Sequence, residues 1–210
     1  MQLVGKLIIK SKNKIIEFLN EEQTGRISSI DENGYPQIIP MNFVLINNVV
    51  YMHSHTKGEK LDNIKRNTKV GFEVDRNLEF LPSYFFDPND ASLADTLYVS
   101  VVIKGEAEIV GNRKEKVLAL NGLMKKYQPE GNYEPMNENM EVLEAVAVIK
   151  VIPKEMNGKY KIGQNMTNQE KIKLAENILK KNSKTALETL EIMGFTIENE
   201  KLILKTDEEW

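Results

Sequence analysis

Apolar and polar positions follow a period that changes several times along the chain. Residues 14–22 hold Ile15, Phe18 and Leu19 at helical spacing, which predicts an N-terminal helix. The period then drops to two. Arg26–Ile30, Gln37–Ile46 and Val49–His53 read as three consecutive strands, a β-meander. Asp31-Glu32-Asn33-Gly34 and Asn47-Asn48 separate them, and both suit turns with φ > 0. Lys57–Asn67 reads as a short helix with Leu61 and Ile64 inward, and Lys69–Asp75 as a fourth strand. Residues 76–95 show no period and read as a loop around Tyr84-Phe85-Phe86. Leu97–Val110 is a long strand in which Gly105 marks a bend or bulge. Asn112 is placed to cap a helix carrying Val117, Leu120, Met124 and Tyr127, which ends at Gln128-Pro129. Leu143–Ile152 is the last core strand, with Pro153 expected to stop it.

Six strands with helices at the connections predict a mainly β chain with helices (α+β), a small barrel rather than a doubly wound sheet. The tail differs. Thr167-Asn168-Gln169-Glu170 is a capping box opening a helix, Thr185-Ala186-Leu187-Glu188 repeats the signature, and Gly194 suits a helix end. Six lysines stand against two glutamates over 161–185, and seven acids against two lysines over 186–210. Either the two segments attract each other or these are ordinary solvated faces. The division expected is a barrel over 1–155 and a helical extension over 156–210, packing on the barrel or on a partner copy.

Composition narrows the chemistry. A chain of 210 residues buries a core without staples, and it has no cysteine. With two histidines in all, no metal site is expected. The opening Met1–Lys10 is broken by lysines and does not read as a secretory leader. No apolar run approaches a membrane span, so the expectation is a cytosolic protein without membrane contact. A net charge of −3 with both signs mixed argues against a nucleic-acid partner.

Three segments carry candidate chemistry. In His53-Ser54-His55-Thr56-Lys57-Gly58-Glu59-Lys60, hydroxyls, ammonium groups and a glycine converge where a strand turns into a helix. A phosphate needs such donors with little bulk nearby. The alternative is a polar turn with two solvated lysines. In Tyr35-Pro36-Gln37-Ile38-Ile39-Pro40-Met41-Asn42-Phe43, two prolines share one strand. Pro40 belongs at an edge or where the sheet opens, leaving backbone groups free to read a planar heterocycle, or it simply protects an edge from aggregation. In Tyr98-Val99-Ser100-Val101-Val102, Ser100 is a possible ring-edge donor or an ordinary tolerated serine.

Taken in order, Gly25–Pro36, Ile39-Pro40-Met41-Asn42-Phe43, Tyr51-Met52-His53-Ser54, Gly58–Ile64, Arg66-Asn67 and Val70–Asp75 resemble the pyridoxamine 5′-phosphate oxidase-like family, nearest to its nitroimidazole-resistance (Nim-type) branch. The resemblance covers roughly residues 14–152. It implies a six-stranded antiparallel split β-barrel of the FMN-binding type, a homodimer with FMN at the interface. By the same resemblance, Pro40, Met41 and Asn42 line the isoalloxazine edge, and His53 and Ser54 flank the ring and its ribityl-phosphate chain. Lys57, Gly58 and Lys60 hold the phosphate, and Ser100 and Val101 approach from the neighbouring strand. Where the pyridoxine oxidases carry an arginine–lysine pair, this chain has Gln37 and Asn42, and their C-terminal substrate motif is missing. Vitamin B6 oxidation is therefore not the expected reaction.

The expected function is an FMN-dependent oxidoreductase, nitroreductase-like, using NAD(P)H and a small aromatic or nitro-bearing acceptor. His53 is its candidate catalytic proton donor, or only a stacking residue. His55 is expected to turn to the opposite strand face, away from the chemistry. The other expectation is a non-catalytic flavin-binding or regulatory module.

Overall fold

The computed structural model describes residues 5–198 and 201–205, and its strands follow the alternation of the sequence. They belong to two compact units. The larger comprises Asn13–Val74 and Val101–Asn157. The smaller comprises the described parts of Met1–Lys12, Asp75–Ser100 and Gly158–Trp210.

In the larger unit, helix α1 (Lys12–Glu21) buries Ile15, Phe18 and Leu19. Strands β2 (Thr24–Ile30), β3 (Pro36–Ile46) and β4 (Val49–His55) form the expected meander. Asn47 and Asn48 both take positive φ (51° and 63°), the geometry of a two-residue hairpin whose twist matches its strands. Helix α2 (Glu59–Arg66), helix α3 (Arg113–Tyr127) and the single turn α4 (Val142–Ala145) follow, and strands β5 (Lys69–Leu81), β6 (Asp95–Ile109) and β7 (Val146–Lys161) each have residues in both units. The Asn112 side chain accepts from the Glu115 N–H at 3.1 Å and caps α3 as its position predicts.

The strand order is β7-β4-β3-β2-β5-β6, with β6 pairing back onto β7, so six strands make a ring. Pairs β2–β3, β2–β5, β3–β4 and β4–β7 run antiparallel. This is a split β-barrel with helices at its connections. Ile27, Phe43, Met52, Phe72 and Ile149 share the inner face and are at most 1% exposed. Phe43 and Phe72 meet edge to face with centroids 5.1 Å apart. The opposite face, through Val44, Tyr51 and Val148, packs against Ala119, Leu120 and Leu123 of α3.

Three boundaries differ from expectation, one being the start of the last core strand, where Leu143–Ala145 lie in the turn α4. The fourth strand runs on to Leu81 through residues 76–81. Leu78 and Leu81 are buried there, and the charge that hides their pattern, Glu79, is itself only 4% exposed. Lys181 Nζ lies 2.6 Å from its carboxylate, Thr185 Oγ1 donates to it at 3.3 Å, and the Ser183 hydroxyl bonds it too. The last core strand continues through Pro153 to Lys161. Pro153 lies past Val151, the last residue paired with β4, and before Gly158, the first paired with β1 (Ile8–Ile9). Its missing N–H therefore withdraws no bond from the β4 or the β1 ladder.

In the smaller unit, α5 (Asn168–Lys181) opens with the predicted capping box, Thr167 and Glu170 bonding each other reciprocally. Helix α6 (Ala186–Ile192) does not repeat it. Thr185 makes no side-chain cap, because its hydroxyl serves Glu79, and Glu188 pairs with Arg76 at 3.0 Å. One lysine of the basic tail segment and one glutamate of the acidic one thus find partners on β5. Gly194 (φ 89°) ends α6, and an unforeseen hairpin follows, β8 (Phe195–Glu198) and β9 (Lys201–Leu204). No helix among the described residues is long and apolar enough to cross a membrane.

Gly25 is demanded by packing. A Cβ there would lie 2.1 Å from the Phe72 ring, which is wedged against Phe43. Gly25→Ala is expected to lower unfolding free energy by about 1–3 kcal/mol, as overpacking does. Gly111→Ala, with nothing within 4 Å of its new methyl, is the control. Equal urea midpoints for the two variants would refute the packing argument.

Candidate functional site

The barrel is split where β3 leaves β4. The two strands pair from Ile46↔Val49 to Phe43↔Met52 and no further. Continuing that register would set Asn42 opposite His53, Met41 opposite Ser54 and Pro40 opposite His55. Instead, among the described residues, 36–42 of β3 pair only with β2, and 53–55 of β4 only with β7. Seven residues of β3 thus offer an unpaired edge, and Pro40, which has no N–H to offer, lies within it.

The opening has two faces, and the sequence-predicted residues divide between them. Gln37, Met41 and Ser54 share the inner face with Phe43 and Met52, while Pro40, Asn42 and His53 share the outer face with Tyr51. Pro40, Asn42 and His53 are exposed, and Met41 and Ser54 half-buried. His55 corrects an expectation. β4 stays paired with β7 through His55, so period two puts it on the same face as His53. Its Nδ1 accepts from the Lys57 N–H at 3.1 Å and its carbonyl accepts from Ser54 Oγ at 2.9 Å, which shapes the turn into α2.

That turn carries the cations. Gly58 has φ 141°, a region side chains avoid, and stands at the N-cap of α2. Lys57 is exposed, whereas Lys60 is half-buried on α2. The Lys60 Nζ lies 3.3 Å from Met41 Sδ, a weak acceptor, and burial pushes its ammonium below the usual lysine range. No carboxylate pairs with it among the described residues. A half-buried cation beside an open strand edge suits an anionic group on a planar ligand. Val101 is fully buried, so only its backbone is available, and Ser100 is half-buried on β6.

Two features were not legible as site residues. Beside the opening, buried Asn63 of α2 bonds Ser29 Oγ and Gln37 Oε1, each at 3.3 Å, and takes a bond from Arg66. Below the opening, the Tyr127 hydroxyl accepts from the Phe43 N–H at 2.9 Å and reaches the carbonyls of Phe43 and Gln23. Thr24 is the first β2 residue in the ladder, so this hydroxyl takes over where the ladder ends. Next to it Lys126 Nζ donates to Leu19 O at 3.0 Å near the end of α1, 3.8 Å above the Phe43 ring. Both positions read in sequence only as part of an amphipathic helix.

Residues 11–160 match the sequence profile of a family described as pyridoxamine 5′-phosphate oxidase. No curated protein matches the chain. Among solved structures, it is similar to a candidate 5-nitroimidazole antibiotic resistance protein of Bacteroides thetaiotaomicron, with 23% identity, TM-score 0.62, and 73% of this chain and 86% of that one covered. It is also similar to the flavocytochrome Anf3 of Azotobacter vinelandii (16% identity, TM-score 0.65, 77% and 72% covered). A third likeness is to an FAD- and heme-binding protein of Mycobacterium smegmatis (13% identity, TM-score 0.62, 72% and 71% covered). At these identities the likenesses establish the fold.

The Lys126 plug makes a pH prediction. Burial pushes its ammonium down to about 8, with Glu22 opposing, against 10.5 for an ordinary lysine. Between those values the unfolded chain binds more protons, so this residue's contribution to stability rises with pH. Wild type should gain stability relative to Lys126→Met between about pH 7.5 and about pH 9.5 in urea unfolding. A constant difference would show the ammonium to be solvated.

Proposed function

Because the chain belongs to the pyridoxamine 5′-phosphate oxidase family, we propose that it binds a flavin in the opening between β3 and β4 and acts as an FMN-dependent oxidoreductase. The observation that carries this is Lys60, a half-buried ammonium with no carboxylate partner among the described residues, beside seven residues of unpaired strand edge. Lys60 holds the FMN phosphate, with Lys57, Gly58 and the free N–H groups at the start of α2 beside it and Ser54 along the chain. Pro40, Met41 and Asn42 border the ring, His53 faces it as proton donor, and Ser100 and the Val101 backbone approach from β6. The bound flavin supplies the electron transfer from NAD(P)H to a small aromatic or nitro-bearing acceptor.

The protein's own contribution is to hold the ring against an edge that cannot close on itself. A second copy of the chain completes the site as a homodimer. Tyr35 (71% exposed) and Ile38 (63%), on the same hairpin as the open edge, favour such a cover.

Purified protein is expected to carry, or take up, about one FMN per chain, a stoichiometry read from flavin absorbance. Lys60→Ala should weaken FMN binding by about tenfold or more, the size of a lost hydrogen bond to a charged group, and Lys57→Ala by less. A chain that takes up no flavin would sink the proposal, and an unchanged affinity in Lys60→Ala would move the phosphate elsewhere.

NAD(P)H oxidation with a nitroaromatic acceptor tests turnover, and His53→Ala should slow it by about tenfold or more if the imidazole moves a proton. Flavin binding without turnover across a broad acceptor panel would leave a flavin-holding module instead.

A further inference from the structure

The dipeptide Asn-Gly occurs at Asn33-Gly34, at Asn121-Gly122 and at Asn157-Gly158. It carries a latent reaction of its own. The backbone nitrogen of the glycine can attack Cγ of the asparagine. A C–N bond forms, the side-chain nitrogen leaves as ammonia, and a five-membered succinimide results. Water then opens the ring at either carbonyl, giving aspartate or a β-linked isoaspartate. Only water is consumed. Glycine favours the attack because no Cβ crowds its nitrogen or narrows the backbone angles. The reaction also needs a free side-chain amide beside a backbone able to turn, and there the sites differ.

Asn121 sits inside α3, and both ends of its amide are engaged. Its Nδ2 donates to the Met136 carbonyl and its Oδ1 accepts from the Met136 N–H, each at 2.9 Å. The helix fixes the backbone around it. Gly158 is buried on β7 and pairs with Ile9 of β1, so the ladder holds that site extended.

Asn33 is different. The turn between β2 and β3 is built by Asp31. Its Oδ1 accepts from the N–H groups of Asn33 and Tyr35, each at 2.8 Å, and its N–H donates to the Tyr35 carbonyl at 2.9 Å. None of these bonds uses the Asn33 side chain, which is exposed and has no partner among the described residues. The attacking nitrogen is the most loosely tied group of the turn. The Gly34 N–H donates to the Asp31 carbonyl at 3.2 Å, and a Cβ at Gly34 would meet nothing within 4 Å.

We propose that Asn33 is a site of spontaneous modification, converting to isoaspartate in the folded protein well ahead of Asn121 and Asn157. The product lengthens the turn by one backbone atom and adds a carboxylate beside Asp31 and Glu32. Its α-carboxylate stands free of the chain, where a carboxyl methyltransferase using S-adenosylmethionine can esterify it. This inference is independent of the flavin reading and needs no bound ligand.

The test follows the three peptides by mass spectrometry while the full-length protein is held in mildly alkaline buffer, either folded or in concentrated urea. Isoaspartate is assigned by methyl transfer from labelled S-adenosylmethionine with an isoaspartyl methyltransferase. In the folded protein Asn33 should convert about tenfold or more faster than Asn121 or Asn157, since a tied amide or a paired glycine must first be released. In urea the rates should converge, because the dipeptide is the same. Asn33→Gln, at an exposed turn position, should remove the fast phase and the methyl label together. Equal rates at the three sites in the folded protein, or an Asn33 that persists there while the unfolded chain converts, would overturn the inference. So would conversion of Asn33 without any methyl label.

Discussion

The parting of β3 from β4 at the Phe43–Met52 pair is the constraint on which the rest of the barrel depends. A parted strand leaves backbone groups without partners, and such groups are tolerated only when something else satisfies them or water reaches them. At Phe43 the chain answers from outside the sheet. The Tyr127 hydroxyl stands in for the strand that has ended, and the ring is held between Phe72 and the Lys126 ammonium. Beyond that point nothing of the described protein pairs with the free side of β3. A helix that otherwise only covers the barrel thus also sets where the sheet stops being continuous.

The same division separates two kinds of chemistry. On the inner face the barrel is dry up to Met52 and Phe43, and polarity enters at Ser54, Gln37 and Lys60. On the outer face, Asn42 and His53 stand exposed above a packed layer of Tyr51, Val44 and α3. Period two in two neighbouring strands is enough to give a ligand in the opening one charged side and one imidazole side.

Much of this was readable from residues alone, and the failures have physical causes. The meander, its Asn-Asn turn and the two-proline strand follow from alternation and from what proline lacks, which are local properties. The extension of β5 was hidden because Glu79 interrupts an apolar run, and its solution is a lysine and two hydroxyls about a hundred residues away. Thr185 carried a cap signature but has a stronger acceptor in that carboxylate. Asn63 looked like one polar residue on a short helix, and no periodicity tells which way a buried amide points. His55 shares a face with His53, because residues two apart do so for as long as the strand persists.

Glu79 has a consequence for how such a chain can change over time. Its carboxylate is buried on a strand of the sheet, yet every side chain the structure shows bonding it comes from the end of α5 and the turn before α6. Hydrogen bonds from Lys181 and Ser183 hold it below the usual carboxylate range despite its burial. A lineage that shed this tail would strand a charge in the sheet, whereas one that first replaced the glutamate by an apolar residue would not. The tail is therefore easy to keep and hard to lose. Its removal has an order of events built into it, with position 79 changing before the helices go.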